Sequence, residues 1–90
     1  MKRSLHIKIY GKVQGVFFRV EARRKALELG ISGYVRNMPD GSVEVLASGE
    51  EKNLKELLDW CYNGPKGAKV ERAEFEWLKN EKTFDNFEIM

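Results

Sequence analysis

Between Tyr10 and Val20 the apolar pattern of the chain switches from a period of two to a helical one, across a loop carrying two glycines spaced four apart. No other feature constrains the fold as strongly. Upstream, Leu5, Ile7 and Ile9 alternate with His6, Lys8 and Tyr10, which predicts a strand over about Ser4–Lys12 with one apolar and one polar face. Downstream, a helix is predicted from about Phe18 to Leu29, with Gly30 where a helix-ending glycine belongs. On that helix Val20, Arg23, Arg24 and Leu27 share one side, and Ala22, Ala26 and Leu29 form an apolar edge. The connection reads Gly11-Lys12-Val13-Gln14-Gly15-Val16-Phe17-Phe18-Arg19. Glycine tolerates positive φ, so successive N–H groups can converge on one point. The helix start adds N–H groups without an intrahelical partner and the positive end of a dipole. Arg19 supplies a planar, permanently charged fork that matches phosphate oxygens. The segment reads as a phosphate cradle.

The rest of the chain supplies the elements around it. A second strand is predicted over Ile31–Asn37, with Ile31, Gly33, Val35 and Asn37 on one face and Tyr34 and Arg36 on the other. Met38-Pro39-Asp40-Gly41 has the chemistry of a type I turn and joins it to a third strand, Ser42–Ser48. Val43, Val45 and Ala47 alternate there with Glu44 and Leu46. Ser48 or Gly49 is expected to open a second helix, on which Leu54, Leu57, Leu58 and Cys61 form the buried stripe. Asn63-Gly64-Pro65-Lys66-Gly67 ends it. A fourth strand over about Lys69–Leu78 directs Ala73, Phe75 and Trp77 inward, and Phe87 and Ile89 are in phase for a short edge strand in the tail. The order β-α-β-β-α-β plus a C-terminal strand is the ferredoxin-like, or split βαβ, arrangement: an α+β fold with two helices on one face of a mainly antiparallel sheet.

Composition sets limits. Ninety residues, with 42% hydrophobic, suffice for one core and leave no room for a second, so a single domain over 1–90 is expected. Sixteen basic residues against fourteen acidic ones give a net charge of +2, too balanced to argue for nucleic acid. The lone Cys61 has no partner for an internal disulfide and reads as a small buried hydrophobe. No apolar run is long enough for a signal peptide or a membrane span, so cytoplasmic residence without membrane attachment is the expectation. A monomer is expected, although a short C-terminal edge strand could pair between molecules.

Gly11-x-Val13-Gln14-Gly15-Val16-x-Phe18-Arg19 resembles the first signature of the acylphosphatases, and Gly33-Tyr34-Val35-Arg36-Asn37-x-x-x-Gly41-x-Val43, with Gly49 beyond it, resembles their second. The two stand in the right order and at the right separation, and the element order agrees over essentially the whole chain. The resemblance implies hydrolysis of the mixed anhydride of a carboxylic acid and phosphate, with no metal or other cofactor. It implies that Arg19 binds the phosphoryl group together with backbone amides of Gln14, Gly15, Val16, Phe17, Phe18 and Arg19. It further implies that Asn37 orients the attacking water. Inorganic phosphate would be the product.

The residue chemistry agrees with that implication. An acyl phosphate carries its own good leaving group, and the motifs contain no Ser–His pair, catalytic Cys or carboxylate dyad. Phosphoryl transfer needs positioning and charge stabilisation, which Arg19 and an amide nest provide. Asn37 is no base at neutral pH, but its carboxamide oxygen accepts a hydrogen bond from water. Phe17 and Phe18 read as loop or core packing, and His6 as a solvated residue on the polar strand face. No stretch of the sequence marks an acyl-binding pocket. The alternative reading is a phosphate- or acyl-phosphate-binding module without turnover. An RNA-binding domain of the same topology would show stacking aromatics on its central strands, and Val43-Glu44-Val45-Leu46-Ala47 has none.

Overall fold

In the computed structural model, which describes all 90 residues, the alternation seen at the start of the chain becomes the spine of a sheet. β1 (Lys2–Lys12) is flanked by β3 (Val43–Glu50) and β4 (Lys69–Trp77), both antiparallel to it. β2 (Ser32–Asn37) pairs antiparallel with β3, and β5 (Phe87–Ile89) adds to β2 in parallel, giving the order β4-β1-β3-β2-β5. Leu5, Ile7 and Ile9 face Ala47, Val45 and Val43 across the ladder, and all six are fully buried. α1 (Phe18–Glu28) and α2 (Glu51–Asn63) cover that face. The fold is the ferredoxin-like β-α-β-β-α-β arrangement plus a C-terminal strand.

α2 buries Leu54, Leu57, Leu58 and Cys61, the stripe its spacing predicts. It begins later than expected, at Glu51, because Ser48 and Gly49 still pair with Ser4 and Arg3 of the long β1. α1 buries Ala22 and Ala26 of its expected apolar edge, with Phe18 as the third inward residue and Leu29 only half-buried. Phe18, Ala22 and Ala26 point inward, one turn apart, while Val20 and Leu27 are about half exposed. Small alanines let the helix lie close over the β2–β5 edge, where Gly33 and Val35 lie beneath it. Phe75 keeps the expected phase with Ala73 and Trp77 but is nearly half exposed, because β4 has a neighbour on one side only.

Two details place the site. The rings of Phe18 and Trp60 pack at 5.2 Å between centroids, so the first residue of α1 is anchored in the core against α2. Burying a side chain of that size stabilises the fold by about 1.5–3 kcal/mol. At the far end, Ser4, Ser48 and Ser32 line up across β1, β3 and β2. Lys82 donates its main-chain N–H to Ser4 Oγ at 2.7 Å, and the Ser4 and Ser48 hydroxyls lie 2.6 Å apart. The chain from β4 is thereby held as it crosses to β5, bringing Ile89 alongside Val35. Neither helix is long and apolar enough to cross a membrane.

Candidate active site

β1 ends at Lys12, and buried Val13 fixes the start of the loop to the core. Gly15 has φ 75° and Phe17 has φ 65°, so left-handed residues alternate with Val16 between them. Alternation of this kind turns main-chain N–H groups toward one side and forms a concavity for an anion. Gly15 takes the conformation freely, whereas Phe17 is strained by roughly 1–2 kcal/mol. Phe17 does not recover this by packing, being 76% exposed, contrary to its expected role in the core or loop packing. Phe18 does pack, as expected. No side chain caps α1, so its first N–H groups remain available to a ligand.

Arg19 lies in the first turn of α1. Its one hydrogen bond within the chain runs from Nη1 to the main-chain oxygen of Met90 at 3.3 Å, leaving most of the guanidinium fork free. Asn37 is the last residue of β2, opposite Val43. Its carboxamide has no hydrogen-bond partner in the chain, and it opens onto a cavity of about 420 Å³ that Gly15, Phe17, Phe18 and Arg19 also line. The cradle and the asparagine therefore meet in space, as the split βαβ order allows.

Gln14 and Val16 do not line that cavity with their side chains. Gln14 Nε2 donates to the carbonyls of Met38 and Ser42, each at 2.9 Å, tying the loop to the β2–β3 turn. That turn is rigid in its own right. Gly41 N–H donates to Met38 O at 3.0 Å, and Asp40 accepts hydrogen bonds from the Ser42 hydroxyl and main-chain N–H. These bonds, with Lys8 Nζ 3.1 Å away, hold the Asp40 carboxyl at about 2. Close packing also shapes β2, where a Cβ at Gly33 (φ 141°) would strike the Leu46 carbonyl.

No nucleophile or base joins the cavity. Cys61 is buried under α2, and burial pushes its thiol up to about 12. His6 is not simply solvated as expected: its Nε2 lies 2.8 Å from Glu44 Oε2 on the open face of the sheet. Burial acts to raise the Glu44 carboxyl, but bonds from His6 and Arg36 hold it below its ordinary value. No group of three or more His, Cys, Asp or Glu residues is arranged to hold a metal ion. Sequence reasoning missed Val20 and Ile89, which complete the cavity wall with Val13. Val20 carried a faint signal, as an apolar residue opposite the alanines of α1. Ile89 carried none, since only the return of β5 brings it there.

A family model described as acylphosphatase matches residues 5–89. The chain belongs to the acylphosphatase family. It is 45% identical over 82 residues to the acylphosphatase of Marinobacter nauticus, covering 91% of this chain and 89% of that one. To the acylphosphatase of Caldanaerobacter subterraneus subsp. tengcongensis it is 43% identical over 89 residues, covering 99% of both. A solved acylphosphatase structure from Coxiella burnetii superposes with a TM-score of 0.94 at 36% identity, over 99% of this chain and 93% of that one. The ferredoxin-like order of β1 to β5 is thus that of solved acylphosphatases.

Proposed function

We propose that this acylphosphatase-family chain hydrolyses acyl phosphates to a carboxylate and inorganic phosphate, with Arg19 and Asn37 carrying the chemistry. The reading rests on one observation above all: a largely free guanidinium fork, an uncapped helix start and an unpartnered carboxamide open onto one cavity. Main-chain N–H groups from Gln14 to Arg19 and the guanidinium bind the phosphoryl oxygens, and their hold strengthens as charge redistributes in the transition state. Asn37 accepts a hydrogen bond from water and sets its line of approach to phosphorus. The water oxygen bonds to phosphorus while the bond from phosphorus to the acyl oxygen breaks, and the carboxylate departs with that electron pair. The proton of the water passes to a phosphoryl oxygen of the substrate.

The test is phosphate release from acetyl phosphate, with and without chelator, by the wild type and two variants. Arg19→Ala is expected to lose nearly all turnover and most affinity for inorganic phosphate as an inhibitor. Asn37→Ala is expected to lose turnover while retaining that affinity. Near-normal activity in Asn37→Ala would overturn the water-orienting role. The competing reading, a binding module without turnover, requires phosphate binding with no release from any acyl phosphate. Coverage of nearly the full length of its relatives favours the enzyme.

A further inference from the structure

We infer that the site prefers acyl phosphates whose acyl group is uncharged and apolar, held on a rim formed by Phe17, Val20 and Ile89. The inference rests on the acyl phosphate reading above and adds the substrate class to it. Three observations carry it. The cavity, about 420 Å³, is far larger than the roughly 10–15 Å³ that one water molecule needs on the same measure. A phosphoryl group seated on the loop amides and Arg19 leaves much of it unfilled.

The second observation is the convergence of exposed apolar side chains. Phe17 is 76% exposed, Val20 51% and Ile89 41%. Single exposed apolar residues need no explanation. These three come from the loop, from α1 and from β5, yet all line the cavity that holds Arg19 and Asn37. Phe17 keeps its strained left-handed backbone while presenting its ring to solvent rather than to the core.

The third observation is electrostatic. Arg19 is the only charged residue lining the cavity, and the phosphoryl group engages it. No second cation is present to receive a carboxylate or phosphate on the acyl chain. An apolar acyl group gains from every methylene removed from water, whereas a charged one is desolvated without compensation. A fully buried methylene is worth about fourfold in kcat/KM, and a rim open on one side gives about twofold.

The experiment compares acetyl, butyryl and hexanoyl phosphate, whose parent acids have nearly equal acidity and so keep the leaving group constant. Glutaryl phosphate adds a terminal carboxylate to a chain of similar length. The wild type is expected to raise kcat/KM by about twofold or more per methylene from acetyl to butyryl and to disfavour glutaryl. Val20→Ser, Ile89→Thr and Phe17→Asn (Asn tolerates the left-handed backbone) are each expected to flatten the series. Thermal melting and inhibition by inorganic phosphate check fold and cradle in each variant. Equal kcat/KM across the series, a preference for glutaryl, or variants with an unchanged slope overturns the rim while leaving the hydrolase reading intact. Absence of phosphate release from every substrate overturns both.

Discussion

If Arg19 holds the phosphoryl group as proposed, the shape of the cation matters as much as its charge. A guanidinium donates through a rigid planar fork, whereas an ammonium is a point charge on a flexible stem. Only one of the Arg19 nitrogens is engaged, with the Met90 main-chain oxygen, so the fork is free to meet two phosphoryl oxygens. Arg19→Lys is therefore expected to keep attraction but lose the paired geometry. One charge-assisted hydrogen bond is worth about 1.5–3 kcal/mol, so inhibition by inorganic phosphate should weaken by roughly 10- to 100-fold. A loss below twofold, measured by competitive inhibition, would show that charge alone suffices. Arg19 and Asn37 were both legible as residue types in a loop and at a turn. The exposure of Phe17 was not, because an aromatic beside a helix start ordinarily packs inward. Here its neighbour Phe18 already fills the space against Trp60.

At the scale of elements, the site depends on holding one loop against one hairpin. Gln14 makes that connection through two hydrogen bonds to the carbonyls of Met38 and Ser42, on the turn that follows Asn37. Gln14→Met keeps the length of the side chain and removes both donors. Each carbonyl is part-buried, so the stability loss is expected near 1 kcal/mol, or about 4–8 °C in Tm for a domain of this size. The sharper expectation is kinetic: kcat should fall more than KM rises, because the phosphoryl cradle survives while Asn37 drifts from its line. A variant with normal kcat would show that the hairpin is held in register without this link. The order of elements along the chain and the α2 stripe were readable from periodicity, and the β2–β3 turn from its Pro and Gly. On α1 the edge of Ala22 and Ala26 was readable too, but Phe18 takes the third inward place instead of Leu29, which the end of the helix leaves half-buried.

Across the whole molecule, acid is expected to act through carboxylates that join distant parts of the chain. Asp40 is held at about 2 by Ser42 and Lys8. Glu50, bonded to the N-terminal ammonium, and Glu51, bonded to Arg3 and Lys55, also sit below their ordinary values. The folded form thus binds these protons less readily than the unfolded chain. The stability such groups contribute is present above the ordinary carboxylate range and is lost as pH falls through the folded values. Tm is expected to stay level from neutral pH to about 5 and to decline between about 4 and 2. Asp40→Asn should lower Tm at neutral pH and make the acid decline shallower, as differential scanning fluorimetry against pH would register. An unchanged acid slope would remove Asp40 from this account.

Much of this protein is set by one-dimensional information. Period-two alternation, helical spacing and turn residues specify each element locally, and a glycine loop before an arginine suits an anion without reference to anything remote. Those features depend on backbone conformations and side-chain phases that neighbouring residues impose. What tertiary structure decided is which separate pieces share a cavity. Asn37 meets the loop because β2 lies in the same sheet as β1, with β3 between them. Ile89 joins Phe17 and Val20 in the wall of one cavity because the crossing chain is pinned at Ser4 and β5 runs parallel beside β2. The acyl rim left no trace in the sequence for that reason: its members are apolar residues from three elements, ordinary in isolation and brought together only by the fold.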